Sequence, residues 1–207
     1  MAKDRLKRPL PTGASLRLAG MLCLAALLSC TGDQPNDDAV AAIGNKEGMK
    51  IAGRDKSMPC LACHGAEGIS DYDVWPDLAG QTTKYLTKQL RDFRSGRRHD
   101  PWMSPMAVAL DDQDIDDLAA YFSSVTGLSG GAESVPPLAI ACVACHSADA
   151  GQANPLWPSL AGQNKRYMAK QLQDFRDGRR TDPEMAPSVA ALSDLDIEAL
   201  AAFYASP

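Results

Sequence analysis

Several things are scarce in this 207-residue chain, beginning with histidine, of which it has three, and cysteine, of which it has six. No stretch alternates apolar and polar residues over the length of a strand, so nothing in it reads as a β-sheet. No apolar run approaches the roughly 20 residues that a membrane-spanning helix needs, since Leu18 to Leu28 holds only eleven. Basic charge is also in deficit, with 21 Lys+Arg against 26 Asp+Glu and a formal net charge of −5. An acidic surface fits poorly with nucleic acid or anionic lipid and well with a partner that docks through a basic face. Overall composition is otherwise that of an ordinary soluble domain and sets no further limit.

The first 29 residues stand apart. Lys3, Arg5, Lys7, Arg8 and Arg17 precede the apolar run, which ends at Ser29 and Cys30, and this is the pattern of a secretory signal. Leu27-Leu28-Ser29-Cys30 resembles the lipobox of bacterial lipoproteins, in which cleavage before the cysteine frees its thiol for acylation. Cys30 is therefore the expected lipid anchor, the alternative being a small residue near an ordinary cleavage site. Several acyl chains would hold the protein on a membrane stably, and residues 30–44 would be the tether. Without residues 1–29 the chain has 16 Lys+Arg against 25 Asp+Glu, a formal charge of −9.

Beyond the leader the cysteines fall in two close pairs, each followed by a histidine: Cys60-Leu61-Ala62-Cys63-His64 and Cys142-Val143-Ala144-Cys145-His146. Two cysteines about one helical turn apart form the thioethers of a c-type haem, and the adjacent imidazole binds its iron. A zinc half-site or a redox thiol pair are the competing readings. Zinc would need both pairs in one tetrahedral site, and a thioredoxin-like pair would need a βαβ pattern.

Both pairs belong to a tandem repeat. Shifted by 82 residues, 60–125 aligns with 142–207 without a gap, and 34 of the 66 positions are identical. The expected organisation is a first domain over 45–126, a linker over 127–137 rich in glycine and proline, and a second domain over 138–207. Within each copy the periodicity is helical, so the fold class is all-α. Leu86, Leu90 and Phe93 share one face, with Gly96 placed where a helix end favours positive φ. A later helix is expected after the N-caps Asp111 and Ser193, with Ile115, Leu118, Ala119 and Phe122 at i, i+3, i+4 and i+7. The copies differ at their starts. A helix fits upstream of Cys60, at about 45–54, whereas only Leu138 to Ala141 could add a turn before Cys142.

The second axial ligand follows by elimination. With His64 and His146 used, only His99 remains, and its counterpart is Thr181. Among methionines beyond the leader, Met103 and Met185 alone match each other across the repeat, each 39 residues after its histidine in a proline-bounded loop. Met106 competes with Met103 in that loop, but Ser188 stands at its place in the second copy. Methionine with histidine is an established c-type ligand pair, and it fills both axial positions of the iron.

These motifs, together with the Trp-Pro-x-Leu-Ala-Gly-Gln segments, the Lys-Gln-Leu-x-Asp-Phe-Arg helices and the Leu-x-Asp-x-Asp-Ile helix starts, resemble the cytochrome c4 family over residues 45–207. The resemblance implies two tandem class I cytochrome c domains, each wrapped around one covalent haem c. It implies that Pro76 and Pro158, twelve residues after each histidine, offer their carbonyls to the imidazole N–H. It further implies a periplasmic electron carrier, not an enzyme, between a quinol-oxidising complex and a terminal oxidase. The alternative is the haem subunit of a periplasmic dehydrogenase such as flavocytochrome c sulfide dehydrogenase. The short start of the second copy departs from class I domains, whose first helix packs across the last.

Overall fold

A computed structural model of the chain describes residues 37–128, 134–147 and 150–206, with side chains from Asn45 onward excepting Ala150. The leader, with Cys30 and the first part of the tether, lies outside the described residues. Regular structure among the described residues is wholly helical. The first copy contains α1 (Asp37–Lys56), α2 (Met58–His64), α3 (Thr83–Arg94), α4 (Met103–Val108) and α5 (Asp112–Ser124). The second contains α6 (Ile140–His146), α7 (Ala150–Ala153), α8 (Lys165–Arg176), α9 (Met185–Val189) and α10 (Asp194–Tyr204).

The long helices form where local chemistry favours them. Asp111 and Ser193 each accept a hydrogen bond from the third helical residue while Asp114 or Asp196 reaches back to the cap, closing capping boxes on α5 and α10. The chain leaves α3 and α8 through Gly96 at φ 77° and Gly178 at φ 74°, a region in which a Cβ is strained. In the first copy Leu86, Leu118, Ala119 and Phe122 form the core, with Cys60, Leu61, Leu78 and Leu90 packed on it. The second copy builds the same core from Met168, Ala169, Ile197, Ala201 and Tyr204, joined by Cys142, Val143 and Leu160. The first cysteine of each pair thus rests on the core and sets the roll of its short helix.

The copies differ at their starts as expected, although α1 extends beyond both ends of the predicted helix. It packs across α5, and its Lys56 Nζ lies 2.6 Å from Asp117 Oδ2 and 2.7 Å from Asp114 Oδ1. Among the described residues the second copy has only a 3₁₀ turn, Pro137–Ala139, before α6. Leu138 and Ala199 stand where Lys56 and Asp117 do, so that ion pair has no counterpart.

Residues 36–207 form one compact unit, and the two copies meet in it reciprocally. Arg98 donates to Gln171 Oε1 at 2.7 Å and to the Tyr167 hydroxyl at 3.2 Å. Its equivalent, Arg180, donates to Gln89 Oε1 at 2.9 Å and to the Tyr85 hydroxyl at 3.0 Å. Each contact recurs with the copies exchanged, the signature of an approximate two-fold relation.

Candidate haem sites

His64 ends α2 and His146 ends α6, both buried, at 4% and 7% exposure. The imidazole Nδ1 of His64 lies 2.8 Å from the carbonyl oxygen of Pro76, and that of His146 lies 2.9 Å from Pro158 O. As the donor in that bond, Nδ1 carries the proton, which leaves Nε2 with its lone pair free for a metal. Burial pushes both imidazoles below their usual pKa, against the opposing pull of the proline carbonyls, and so keeps them in the neutral, ligating form.

None of the four cysteines of the pairs is in a disulfide, and all are half-buried. Burial raises the Cys60 and Cys142 pKa, the opposite of what a reactive redox pair requires. Among the described residues no three His, Cys, Asp or Glu side chains gather as a metal cage. The zinc and thioredoxin readings therefore have no support in the geometry, whereas two thiols and an imidazole on one short helix suit a haem attached through its edge. A polar atom near the second pair fits the same picture. The Tyr204 hydroxyl is buried without a hydrogen-bond partner, and burial together with the neighbouring Cys142 and Cys145 raises its pKa. Phe122 holds that place in the first copy.

The segments that carry Met103 and Met185 are not plain loops. Each methionine opens a short helix, α4 or α9, whose start is held by an aspartate that sequence reasoning passed over. Asp100 Oδ1 accepts from the N–H groups of Trp102 and Met103 at 3.0 and 3.1 Å. Asp182 Oδ1 accepts from those of Glu184 and Met185 at 3.0 and 3.3 Å. Pro105 and Pro187 fall in the first turn, where the missing N–H is not needed. Met103 and Met185 are half-buried, whereas Met106 is 46% exposed and His99 is exposed.

The surfaces around these methionines differ. In the first copy the Trp102 ring, 65% exposed, meets Trp75 edge-on at 6.0 Å between centroids. In the second copy Glu184 replaces Trp102 and accepts a 2.8 Å bond from Trp157 Nε1.

Upstream of each methionine, the chain is tied to the helix that precedes it. Asp92 accepts from Lys88 at 2.7 Å and from Arg97 at 2.7 Å, and its backbone carbonyl accepts from Arg98 N–H at 3.0 Å. Asp174 repeats this with Lys170, Arg179 and Arg180. Burial pushes both carboxyls up, but the paired cations outweigh it and hold them below the usual carboxylate range.

Sequence reasoning also missed Gln81 and Gln163, each 4% exposed. Both reach into the opposite copy, Gln81 to the Ser159 backbone and Gln163 to that of Asp77. A polar residue retained at the end of both Leu-Ala-Gly-Gln segments was the available signal.

Two buried, singly presented imidazoles beside paired thiols, in two copies of one helical fold, define a dihaem c-type cytochrome, an electron-transfer protein. The profile of the cytochrome c family, "Cytochrome c", matches residues 46–126 and again 138–206. Cytochrome c4 of Pseudomonas aeruginosa is 38% identical over 187 residues, covering 79% of this chain and 91% of that protein. A "Thiosulfate dehydrogenase electron acceptor" of Stutzerimonas stutzeri is 35% identical over 189 residues, with 81% and 88% covered. Among solved structures, reduced recombinant cytochrome c4 from Pseudomonas stutzeri superposes with a TM-score of 0.66 at 37% identity, over 76% of this chain and 97% of that one. The chain belongs to the cytochrome c4 family and carries two covalently bound haem c groups, one attached at Cys60 and Cys63 and one at Cys142 and Cys145.

Proposed function

We propose that this cytochrome shuttles electrons singly in the periplasm, taking them from a quinol-oxidising complex and delivering them to a terminal oxidase. His64 with Met103 and His146 with Met185 are the axial pairs. The observation that carries this reading is the duplicated site: a buried imidazole presenting one ring nitrogen, and a methionine at the head of a short helix, recur at matched positions. With both axial positions of each iron filled there is no place for a substrate, and what remains is one-electron exchange at the haem edge. A thioether ligand raises the reduction potential, which suits delivery to an oxidase. The lipid on Cys30 keeps the carrier close to membrane complexes. No helix among the described residues is long and apolar enough to cross a membrane.

The relative named a thiosulfate dehydrogenase electron acceptor favours a second reading, in which the donor is a periplasmic dehydrogenase of sulfur compounds. Membranes from the source cells separate the two. The carrier reading expects quinol to reduce the protein through those membranes, and oxygen to reoxidise it in a cyanide-sensitive way. Protein that is inert to quinol and reduced only when thiosulfate and a soluble periplasmic fraction are added would establish the dehydrogenase role instead.

A further inference from the structure

The two interface glutamines end at a particular place in the opposite copy. Gln163 Oε1 accepts from the Asp77 N–H at 2.9 Å, and its Nε2 donates to the Asp77 carbonyl at 2.9 Å. Asp77 directly follows Pro76, whose carbonyl accepts from His64 Nδ1. Gln81 does the same in the other direction. Its Oε1 accepts from Ser159 N–H and its Nε2 donates to Ser159 O, both at 3.0 Å, and Ser159 directly follows Pro158, the partner of His146.

Neither glutamine is free to swing, because its Oε1 also accepts from the next residue of its own chain, Thr82 N–H at 3.0 Å or Asn164 N–H at 2.9 Å. The hold extends along both proline segments. Asn164 Nδ2 donates to Trp75 O at 2.8 Å and Tyr167 N–H to Asp73 O at 2.8 Å, while Thr82 Oγ1 donates to Pro155 O at 2.6 Å. Within the first copy the segment is held by Ser70 N–H to Asp77 Oδ1 at 2.7 Å, by Leu78 and Ala79 N–H to Gly68 O at 2.8 and 3.1 Å, and by Trp75 N–H to Tyr72 O at 3.1 Å. None of these grips the Asp77 backbone.

We propose that Gln163 and Gln81 are positioning residues for the haem of the opposite copy. Each fixes the proline carbonyl that orients the iron-bound imidazole, and so tunes that haem's potential from across the domain boundary. This rests on His64 and His146 being the axial ligands, as argued above. The Nδ1–H bond to a carbonyl makes the imidazole more basic and favours ferric iron. A carbonyl released from its clamp bonds less well, so the potential of that haem should rise.

The test uses the full holoprotein with Gln163→Met and, separately, Gln81→Met, which keep side-chain length and remove every hydrogen bond. Spectroelectrochemical titration gives both potentials, and proton NMR of the reduced protein, assigned by contacts to Pro76 and Pro158, follows each ring N–H. Gln163→Met should raise the potential of the first-copy haem, leave the second unchanged, and speed exchange of the His64 N–H by about tenfold, the worth of a typical net hydrogen bond or a little more. Gln81→Met should do the reverse. A shift confined to the substituted copy's own haem, or no shift at either, overturns the proposal.

A measurement on the wild type removes dependence on the variants folding. Under mild denaturant the His64 N–H and the Asp77 amide should exchange through one opening that separates the copies. Independent exchange of the two overturns the proposal as well. Failure of the ligand assignment itself is distinguishable, because His64→Ala would then leave the first haem's axial spectrum intact.

Discussion

Two glycines of α1, five residues apart, should respond to alanine with opposite sign, and the structure sets both magnitudes. A Cβ built on Gly48 meets nothing within 4 Å, whereas one built on Gly53 runs into the Asp117 carbonyl oxygen and lies 2.6 Å from its carbon and 2.8 Å from Tyr121 Cβ. Gly48→Ala therefore changes only helix propensity, and should stabilise the first domain by about 0.5–1 kcal/mol. Gly53→Ala forces α1 away from α5, because two of its three nearest obstacles are backbone and cannot rotate aside.

Overpacking of this kind costs about 1–3 kcal/mol, and the displacement also draws Lys56 from Asp117, whose side chain is only 4% exposed. That carboxylate would keep Gln113 Nε2, at 2.8 Å, as a partner. Stranding a buried charge costs about 3–5 kcal/mol when nothing compensates it, so with Gln113 retained a total near 3 kcal/mol is expected for Gly53→Ala. For a chain of this size that lowers Tm by about 6–12 °C. Thermal unfolding of the oxidised holoprotein, followed in the haem absorption and the far-ultraviolet circular dichroism, measures both variants. Gly53→Ala within about 0.5 kcal/mol of wild type, the ordinary range for a surface change, would mean that α1 does not cross α5 at that point.

Three further outcomes are expected. Met103→Leu or Met185→Leu should each remove one of two sulfur-to-iron charge-transfer contributions from the oxidised spectrum and lower one potential, while Met106→Leu does neither; loss of the first haem's sulfur ligation in Met106→Leu alone would show that the repeat misplaces the ligand. Because the carboxyls of Asp92 and Asp174 are held below their unfolded pKa, they stabilise the fold above about pH 4, and that contribution is lost as pH falls through the depressed folded values; Asp92→Asn should flatten the acid limb of Tm against pH, and an unchanged limb would contradict the pairing. Cys30→Ala should move the haem protein from the membrane fraction to the soluble periplasm, and wild type already found soluble would rule out the anchor.

Much of this cytochrome is settled within short stretches of chain. Covalent haem attachment is local chemistry, since two thiols and an imidazole within five residues suffice, and the 82-residue repeat states that there are two sites. The extents of α5 and α10 follow from 3.6-residue periodicity and from the caps Asp111 and Ser193, which act within one turn, whereas α1 runs past both ends of what periodicity marks. Even the short start of the second domain, where the described residues hold a 3₁₀ turn and not a long helix before α6, is visible in its sequence. The methionines match as a pair across the repeat, although sequence could not reveal that Asp100 and Asp182 organise a short helix around each of them. What tertiary structure alone decided is how the two copies hold each other. Gln81 is bonded to Ser159 and Gln163 to Asp77, residues 78 and 86 positions away. Arg98 and Arg180 find Gln171 and Gln89 across the boundary in the same way. Hydrogen bonds at such separation leave no periodicity and no spacing rule. The glutamine bonds exist because folding brings the two proline segments within reach of the opposite copy, where a half-buried backbone N–H or carbonyl gains a partner.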